Sequence, residues 1–401
     1  MNFKFIDLFA GCGGLSEGFY KQGFRPLAHV EYDHYSCESL RMRSIYYGFS
    51  EKNLNIIKKD ITDKNIIKII KSKIKGSKVD LILGGPPCQS FSSLGRAKDE
   101  NAMKYDPRNY LFENYEKILS YFKPKIFLFE NVTGLLTAKF NNKKVIDIIT
   151  EKLSKGYNIL NKSEMIVLNS CEYGVPQIRK RVFLIGVRKD INYEVTEIYN
   201  NITKTHYTPT STNDEKLNKK KYITTRDAIG DLPFLKPGQG EVRVIFNKKI
   251  ENDYIKKIRS KKNLELFDHV ARKHNRLDRK RFKEMSKNKW TFEQLLEKKT
   301  LLRHKKQRVF KNSYVVQFWD QPARTIISHL YKDGNQFIHP DYKQERTLTV
   351  REAARLQSFP DDFYFAGPRT EQYKQIGNAV PPIMSEKIAI SIKKALKTIK
   401  K

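Results

Sequence analysis

Three features of this chain predict an α/β fold: a Rossmann-like, doubly wound domain with a smaller, largely irregular domain after it. Short apolar, β-branched runs alternate with helical patterns through the first half. A glycine-rich turn ends the first of those runs, and a stiff Gly-Gly-Pro-Pro-Cys turn ends a later one. Both turns fall at strand carboxyl ends, where open α/β sheets place their chemistry. After about Asp190 the alternation stops, and a polar and then strongly basic stretch takes over.

The strand-like runs are Phe3 to Phe9, Pro26 to Val30, Val79 to Leu83, Ile126 to Phe129, Met165 to Leu168 and Val182 to Val187. Helical patterns lie between several of them, at Asn65 to Lys73, Asn109 to Phe122 and Lys143 to Leu153. Ile191 to Lys221 has few apolar positions and reads as loop or linker. Val350 to Gln357 and the last twenty residues read as helices. We therefore expect a first domain over 1–189, a second with its hinge over 190–368, and a segment over 369–401 that returns to the first.

The 401 residues carry a formal net charge of +33, far beyond what solubility needs, and point to a polyanionic partner. A genome rich in Lys, Ile and Asn codons is the plain alternative. The segment Ile255 to Lys311 concentrates the charge, with 21 basic against 6 acidic side chains. Trp290, Phe292, Tyr314, Phe318 and Trp319 lie in or just after it. Cys12, Cys37, Cys88 and Cys171 are widely separated, which fits neither a disulfide framework nor a zinc site. His269, His274 and His304 have no ligand spacing and read as structural or phosphate-side groups. No apolar run reaches membrane-spanning length, and the N-terminus enters a strand pattern at once. The expectation is an intracellular, cytoplasmic protein with reduced thiols and no metal.

In Asp7-Leu8-Phe9-Ala10-Gly11-Cys12-Gly13-Gly14-Leu15 the glycines let a ligand approach the backbone and aim helix N–H groups at it. Glu31 follows the next strand and can accept hydrogen bonds from ribose hydroxyls; Asp60 follows a further segment end and can accept from an adenine amine. Taken singly, each acid could equally be a solvated loop carboxylate. Cys88 sits on a turn stiffened by Pro86 and Pro87, which suits a nucleophile held at a fixed height better than a packing residue.

Asp7 to Leu15, Gly84 to Ser92, Glu130-Asn131-Val132, Tyr173 to Arg181, Arg346 to Gln357 and Gly377 to Pro382 follow one another in that order. The chain thereby resembles the DNA (cytosine-5) methyltransferases of bacterial restriction–modification type, over nearly its whole length. The resemblance implies an S-adenosylmethionine-dependent methyltransferase domain, a target-recognition domain, and DNA in the cleft between them. Cys88 would attack carbon 6 of cytosine. Glu130, its pKa raised by burial at a strand end, would hold or donate a proton at ring nitrogen 3. Arg179 would bind the base oxygen, Arg181 would support the Cys88 loop, and Gln177 would position that motif. Arg179 and Arg181 alternate around Lys180, so on a strand both arginines project to one face.

For S-adenosylmethionine, leaving S-adenosylhomocysteine, the implied contacts are as follows. Phe9 stacks on adenine, and Gly11 and Gly13 approach the methionine part. Glu31 holds the ribose and Asp60 the amine, while Leu111 and Asn378 complete the pocket. Ala10, Gly14, Leu15, Tyr32, Ile61, Pro86 and Ala379 line it. The family's downstream Asn is missing from Leu40 to Tyr47, a departure that touches cofactor packing. The implied partner is double-stranded DNA, with base flipping to bring cytosine to Cys88. A restriction endonuclease of the same specificity would act separately, and the enzyme would be a monomer. Two competing readings remain: an RNA cytosine methyltransferase and a catalytically silent DNA-binding protein. The long basic insert and Cys88-Gln89-Ser90-Phe91-Ser92 favour DNA over RNA, and the joint presence of Cys88, Glu130, Gln177 and Arg179 speaks against a silent protein.

Overall fold

A computed structural model describes residues 2–51, 54–87, 111–140, 142–249, 252–259, 264–302 and 314–399. The chain forms two compact units. Unit 1 holds Met1–Asn169, Lys180–Lys204 and Pro382–Lys401; unit 2 holds Ser170–Arg179 and Thr205–Pro381. These crossings differ from the divisions expected at 189/190 and 368/369. Helix Arg369–Asn378 belongs to unit 2, where Gly377 presses on the backbone of Ile327 and Ser328 so closely that a Cβ would lie 2.1 Å from the Ser328 nitrogen.

Unit 1 is built on a mixed eight-stranded sheet: β1 (Lys4–Leu8), β2 (Arg25–Glu31), β3 (Ile56–Lys58), β4 (Leu81–Gly84), β5 (Ile126–Val132), β6 (Tyr157–Ile159), β7 (Val167–Asn169) and β8 (Lys180–Arg188). Their spatial order is β3-β2-β1-β4-β5-β8-β6, with β7 also paired to β8. Strands β1 to β5 run parallel, and β8 runs antiparallel to β5. The order reverses direction at β1, so β1 and β4 flank a switch point, the crevice that open α/β sheets use for ligands. Leu81, Ile82 and Leu83 are buried, as are Ile126 to Phe129 and Val182 to Ile185, which is why these strands read as continuous apolar runs.

Helix α1 (Gly14–Lys21) packs on the C-terminal helix Pro382–Ile399. Gly18 makes this possible: a Cβ there would meet the backbone of Ser385 and Glu386 at 2.2–2.4 Å. The Ser385 hydroxyl donates to the Leu15 carbonyl, and Lys393 Nζ reaches the Gln22 carbonyl at 2.6 Å.

Two local expectations change. Met165 to Leu168 is not one strand: a single helical turn, Ser163–Ile166, buries Ile166 before β7 begins. Ile191 to Lys221 is not all loop. Val195–Asn200 forms a helix that buries Val195, Ile198 and Tyr199, and the Tyr199 hydroxyl donates to the Phe183 carbonyl while accepting from the Ile185 N–H. That apolar pattern spans a single turn, too short to register as periodic.

Unit 2 carries a two-stranded ribbon, Gly240–Ile245 with Glu265–Val270, and several helices. Helix Arg276–Asn288 turns Phe282 and Met285 inward to a cluster with Phe292, Leu295, Leu302, Tyr314, Val316 and Ile338. The aromatic residues of the basic segment are therefore in part core: Phe292 and Tyr314 stack with centroids 4.5 Å apart. Buried guanidiniums bind the rest. Arg355 pairs with Asp231 and Asp361, Arg346 with Glu352, and Arg351 donates to the carbonyls of Phe267, Pro360 and Phe363. Among the described residues no helix is long and apolar enough to cross a membrane.

His269 and His274 belong to this scaffold, and His304 lies outside the described residues. The ring of His269 bridges the Thr349 hydroxyl and the Pro233 carbonyl. Burial pulls both imidazoles from 6.5 down to about 4. The unfolded chain therefore binds protons that the folded chain refuses between those values. Their contribution to stability is complete above pH 6.5 and is lost as pH falls towards 4, by about 2 kcal/mol for each ring at pH 5. Urea unfolding at pH 7 and pH 5 should show this loss in wild type and a smaller one in His269→Asn/His274→Asn; equal slopes in the two proteins would refute it.

Candidate active site

The ends of β1, β4 and β5 are adjacent, with Leu8 opposite Gly84 and Gly84 opposite Phe129. The Gly-Gly-Pro-Pro turn leaves β4 here. Gly84 faces the Tyr115 ring, which a Cβ would approach to 2.6 Å, and Gly85 faces the Glu130 carboxylate, with Oε2 2.9 Å from such a Cβ. Both glycines are thus required by close approach. Asn131, buried beside Glu130, donates from Nδ2 to the Pro86 carbonyl at 3.1 Å and accepts the Val132 N–H on Oδ1 at 2.8 Å. The Glu-Asn-Val strand therefore holds the prolyl turn directly. Cys88 itself lies outside the described residues.

The Glu130 side chain is largely shielded, and its Oε1 lies 3.3 Å from Arg181 Nε. Burial lowers the Arg181 pKa and the Glu130 charge opposes that shift. The arginine expected to support the Cys88 loop is thus the one at the carboxylate. Arg179 is a correction. It precedes β8, and its segment is tied elsewhere: the Ile178 N–H donates to Ala323 and the Ser170 N–H to the Arg179 carbonyl. Strand alternation therefore does not apply to it. Its guanidinium, 2 % exposed, donates to the carbonyls of Ile326 at 2.7 Å and Gly377 at 3.1 Å, within unit 2. Gln177 joins the same interior, donating to Leu356 O and Gln357 Oε1 and accepting the Ile326 N–H at 2.7 Å.

The glycine turn follows β1. Phe9, Gly11 and Gly13 all have positive φ, at 58°, 54° and 89°. At Gly11 a Cβ would meet nothing within 4 Å, so the turn leaves open space in front of its backbone. Ala10, Gly13, Gly14 and Leu15 are buried behind it, and Ile61 and Pro86 are buried as well. Glu31, at the end of β2, accepts the Gly11 N–H on Oε2 at 2.8 Å and the Tyr32 and Asp33 N–H groups on Oε1 at 2.9 Å each. Burial raises its pKa, and the N–H donors, led by Asp33, oppose the rise. Tyr32 beside it is 69 % exposed. Asp60 is exposed and braces its own turn by accepting the Thr62 N–H and hydroxyl on Oδ1. Leu111 opens helix Leu111–Phe122 and is half-buried. Asn378 and Ala379 end the helix Arg369–Asn378 in unit 2, with Asn378 exposed.

Sequence reasoning missed the buried base beneath this turn. Asp7 accepts from the Ser16 hydroxyl at 2.5 Å, and Glu17 makes a two-point ion pair with Arg43 at 2.6 and 2.7 Å. Glu17 and Arg43 lie 26 residues apart, so only tertiary contact unites them. For Glu31, an amide in place of the carboxylate would aim an NH2 group at a backbone N–H. Glu31→Gln should cost about 1–3 kcal/mol of stability. Thermal melting checks this, and an unchanged melting point would overturn the bracing role.

A C-5 cytosine-specific DNA methylase family model matches residues 3–394. The type II methyltransferase M.Bpa9945I of Bacillus paralicheniformis is 35 % identical, covering 97 % of this chain and 98 % of its own. The type II methyltransferase M.DdeI of Desulfomicrobium norvegicum is 34 % identical, over 96 % of this chain and 87 % of its own. Among solved structures, one described as a prophage-encoded DNA modification methyltransferase of E. coli superposes with a TM-score of 0.71 at 24 % identity, covering 99 % of this chain and 100 % of its own. S. pombe Dnmt2 methyltransferase does so with a TM-score of 0.54 at 15 % identity, covering 98 % and 99 %. These likenesses agree with the sheet order, the glycine turn and the Glu-Asn-Val strand against the prolyl turn: the chain belongs to the C-5 cytosine-specific DNA methylases and is a DNA cytosine methyltransferase.

Proposed function

We propose that this enzyme methylates carbon 5 of a flipped-out cytosine within one short duplex sequence, through a covalent adduct with Cys88. In a restriction–modification system, that mark shields host DNA from an endonuclease of the same specificity, which acts separately on the same sites. The observation that carries the reading is the coupling of Glu130 to both its neighbours. Its carboxylate sits against Gly85 and 3.3 Å from Arg181, while Asn131 anchors the turn that leads into Cys88.

Carbon 5 of cytosine is a poor nucleophile. The Cys88 thiolate adds to carbon 6, and the displaced π electrons move towards nitrogen 3, where Glu130 is the group that holds or donates a proton. The resulting enamine would take the methyl group at carbon 5, the methyl–sulfur bond breaking to leave S-adenosylhomocysteine. Solvent then takes the carbon 5 proton, and the electrons of that bond re-form the carbon 5–carbon 6 double bond and expel Cys88 as a thiolate. The base oxygen at carbon 2 is assigned to Arg181 rather than Arg179, because Arg181 is the guanidinium beside Glu130. Arg179 and Gln177 are positioning residues.

The turn fits S-adenosylmethionine, which supplies the electrophilic methyl group. Open space faces Gly11, the Glu31 carboxylate stands behind it for ribose hydroxyls, and the exposed Tyr32 ring offers an apolar face for adenine. Phe9, Asp60, Leu111 and Asn378 are assigned to the same ligand.

Bisulfite sequencing of DNA incubated with enzyme and S-adenosylmethionine should reveal protected cytosines at one recurring short sequence. Cys88→Ser should abolish protection while still binding duplex. Glu130→Gln should slow methyl transfer by about 10²-fold or more, with cofactor affinity changed less than the rate. Full protection by Cys88→Ser would refute the covalent mechanism, and loss of cofactor binding alone in Glu130→Gln would refute the role of Glu130.

A further inference from the structure

Unit 2 contains a cavity of about 280 Å³ whose lining includes Arg272, Lys273, His274, Asn275, Lys332 and Arg369. Three short segments distant in sequence converge on it, so it is a product of the fold and not of a charge run. Lys273, Lys332 and Arg369 are exposed, and no carboxylate of the described residues forms an ion pair with them. Two carboxylates also line the cavity, and each is engaged. Asp278 accepts from Arg281, the Tyr314 hydroxyl and the Asn275 amide, and Asp333 accepts the Asn335 N–H.

Donors in the lining are left unspent. Arg272 is 6 % exposed; its terminal nitrogens bind the carbonyls of Leu330, Tyr331 and Lys332, yet its buried Nε has no acceptor. His274 Nε2 faces the Thr347 N–H, which can only donate, at 3.3 Å. Nε2 is therefore the acceptor, and the neutral ring carries its proton on Nδ1. That N–H is a second donor with no partner among the described residues. Asn275 caps the thirteen-residue helix Arg276–Asn288, its Oδ1 taking the Asp278 N–H at 2.8 Å. Three cations without a carboxylate partner and two unspent N–H donors match a phosphate's charge and its excess of acceptors.

We propose that this cavity grips one phosphate of the DNA backbone. The proposal rests on the DNA methyltransferase reading and adds to it which side chains of the basic unit hold the duplex. Because one phosphate is held by several cations together, losing the whole group removes a single contact.

The test measures duplex binding by the full-length protein across a series of KCl concentrations. Fluorescence anisotropy compares wild type, Lys273→Ala/Lys332→Ala/Arg369→Ala, and a control with two exposed lysines of unit 1 removed, Lys68→Ala/Lys73→Ala. For the triple variant the slope of log K against log salt should fall in magnitude by about 1. Affinity should fall by the same factor for cognate and scrambled duplexes, and the control should keep the wild-type slope. A fall of about 3 would mean three independent surface charges and overturn the single site. An unchanged slope would overturn DNA contact. Inorganic phosphate broadening its ³¹P resonance with wild type but not with the triple variant, at unchanged slope, would assign the cavity to free phosphate and overturn the proposal. Bisulfite protection by the same wild-type preparation shows whether the methyltransferase reading stands whatever the cavity does.

Discussion

One hydrogen bond, from Asn131 Nδ2 to the Pro86 carbonyl, joins the Glu-Asn-Val strand to the prolyl turn, the two elements on which the proposed chemistry depends. Parallel pairing of β4 and β5 brings a carboxylate and a turn to the same sheet edge, but pairing alone leaves the turn free to tilt. The amide removes that freedom where it matters, one residue from Glu130 and two from Cys88. The glycines complete the arrangement by absence. Side chains at Gly84 and Gly85 would displace Tyr115 and Glu130. Proline stiffness, an amide clamp and two missing Cβ atoms together fix the turn as far as Pro87 against the Glu130 strand, and such preorganisation is what electrostatic catalysis requires.

Much of this was legible in the residues. The strands at Lys4, Leu81, Ile126 and Lys180 are apolar because both faces of the sheet are covered, so their runs stand out. Glu31 could be placed after its strand, although its bonds to three backbone N–H groups could not be foreseen. Arg179 and Arg181 show where local reading ends. Alternation assigns both to one face only if the strand has already begun, and its start is set by a bridge between Gln177 and Ala323, far apart in sequence. The cavity at Arg272, Lys332 and Arg369 is invisible for the same reason.

Charge also needs apportioning. The chain is strongly basic, and counting side chains suggests a broad DNA-facing surface. Yet Arg346, Arg351 and Arg355 are fully buried, serving as multi-point donors to carbonyls and carboxylates inside unit 2. Guanidinium suits this work because its planar fork satisfies several acceptors at once. Removing one partner of such a buried pair leaves an uncompensated charge, so these residues hold the unit together whether or not DNA is present. The lysines remain mostly outside, and they carry the excess that a polyanion can sense.

Helix Pro382–Ile399 lies against α1, yet all of 205–381 separates it from the rest of unit 1 in the chain. During synthesis, the face of α1 around Gly18 must wait, uncovered, while the whole of that intervening segment is made. Unit 1 cannot close its core until Ser385 and the residues after it have left the ribosome. No cut at a unit boundary yields a complete unit 1 from one continuous piece. A nascent chain halted before residue 382 therefore has an unfinished unit 1, and the order of translation itself delays completion of the sheet-bearing unit until helix Pro382–Ile399 arrives.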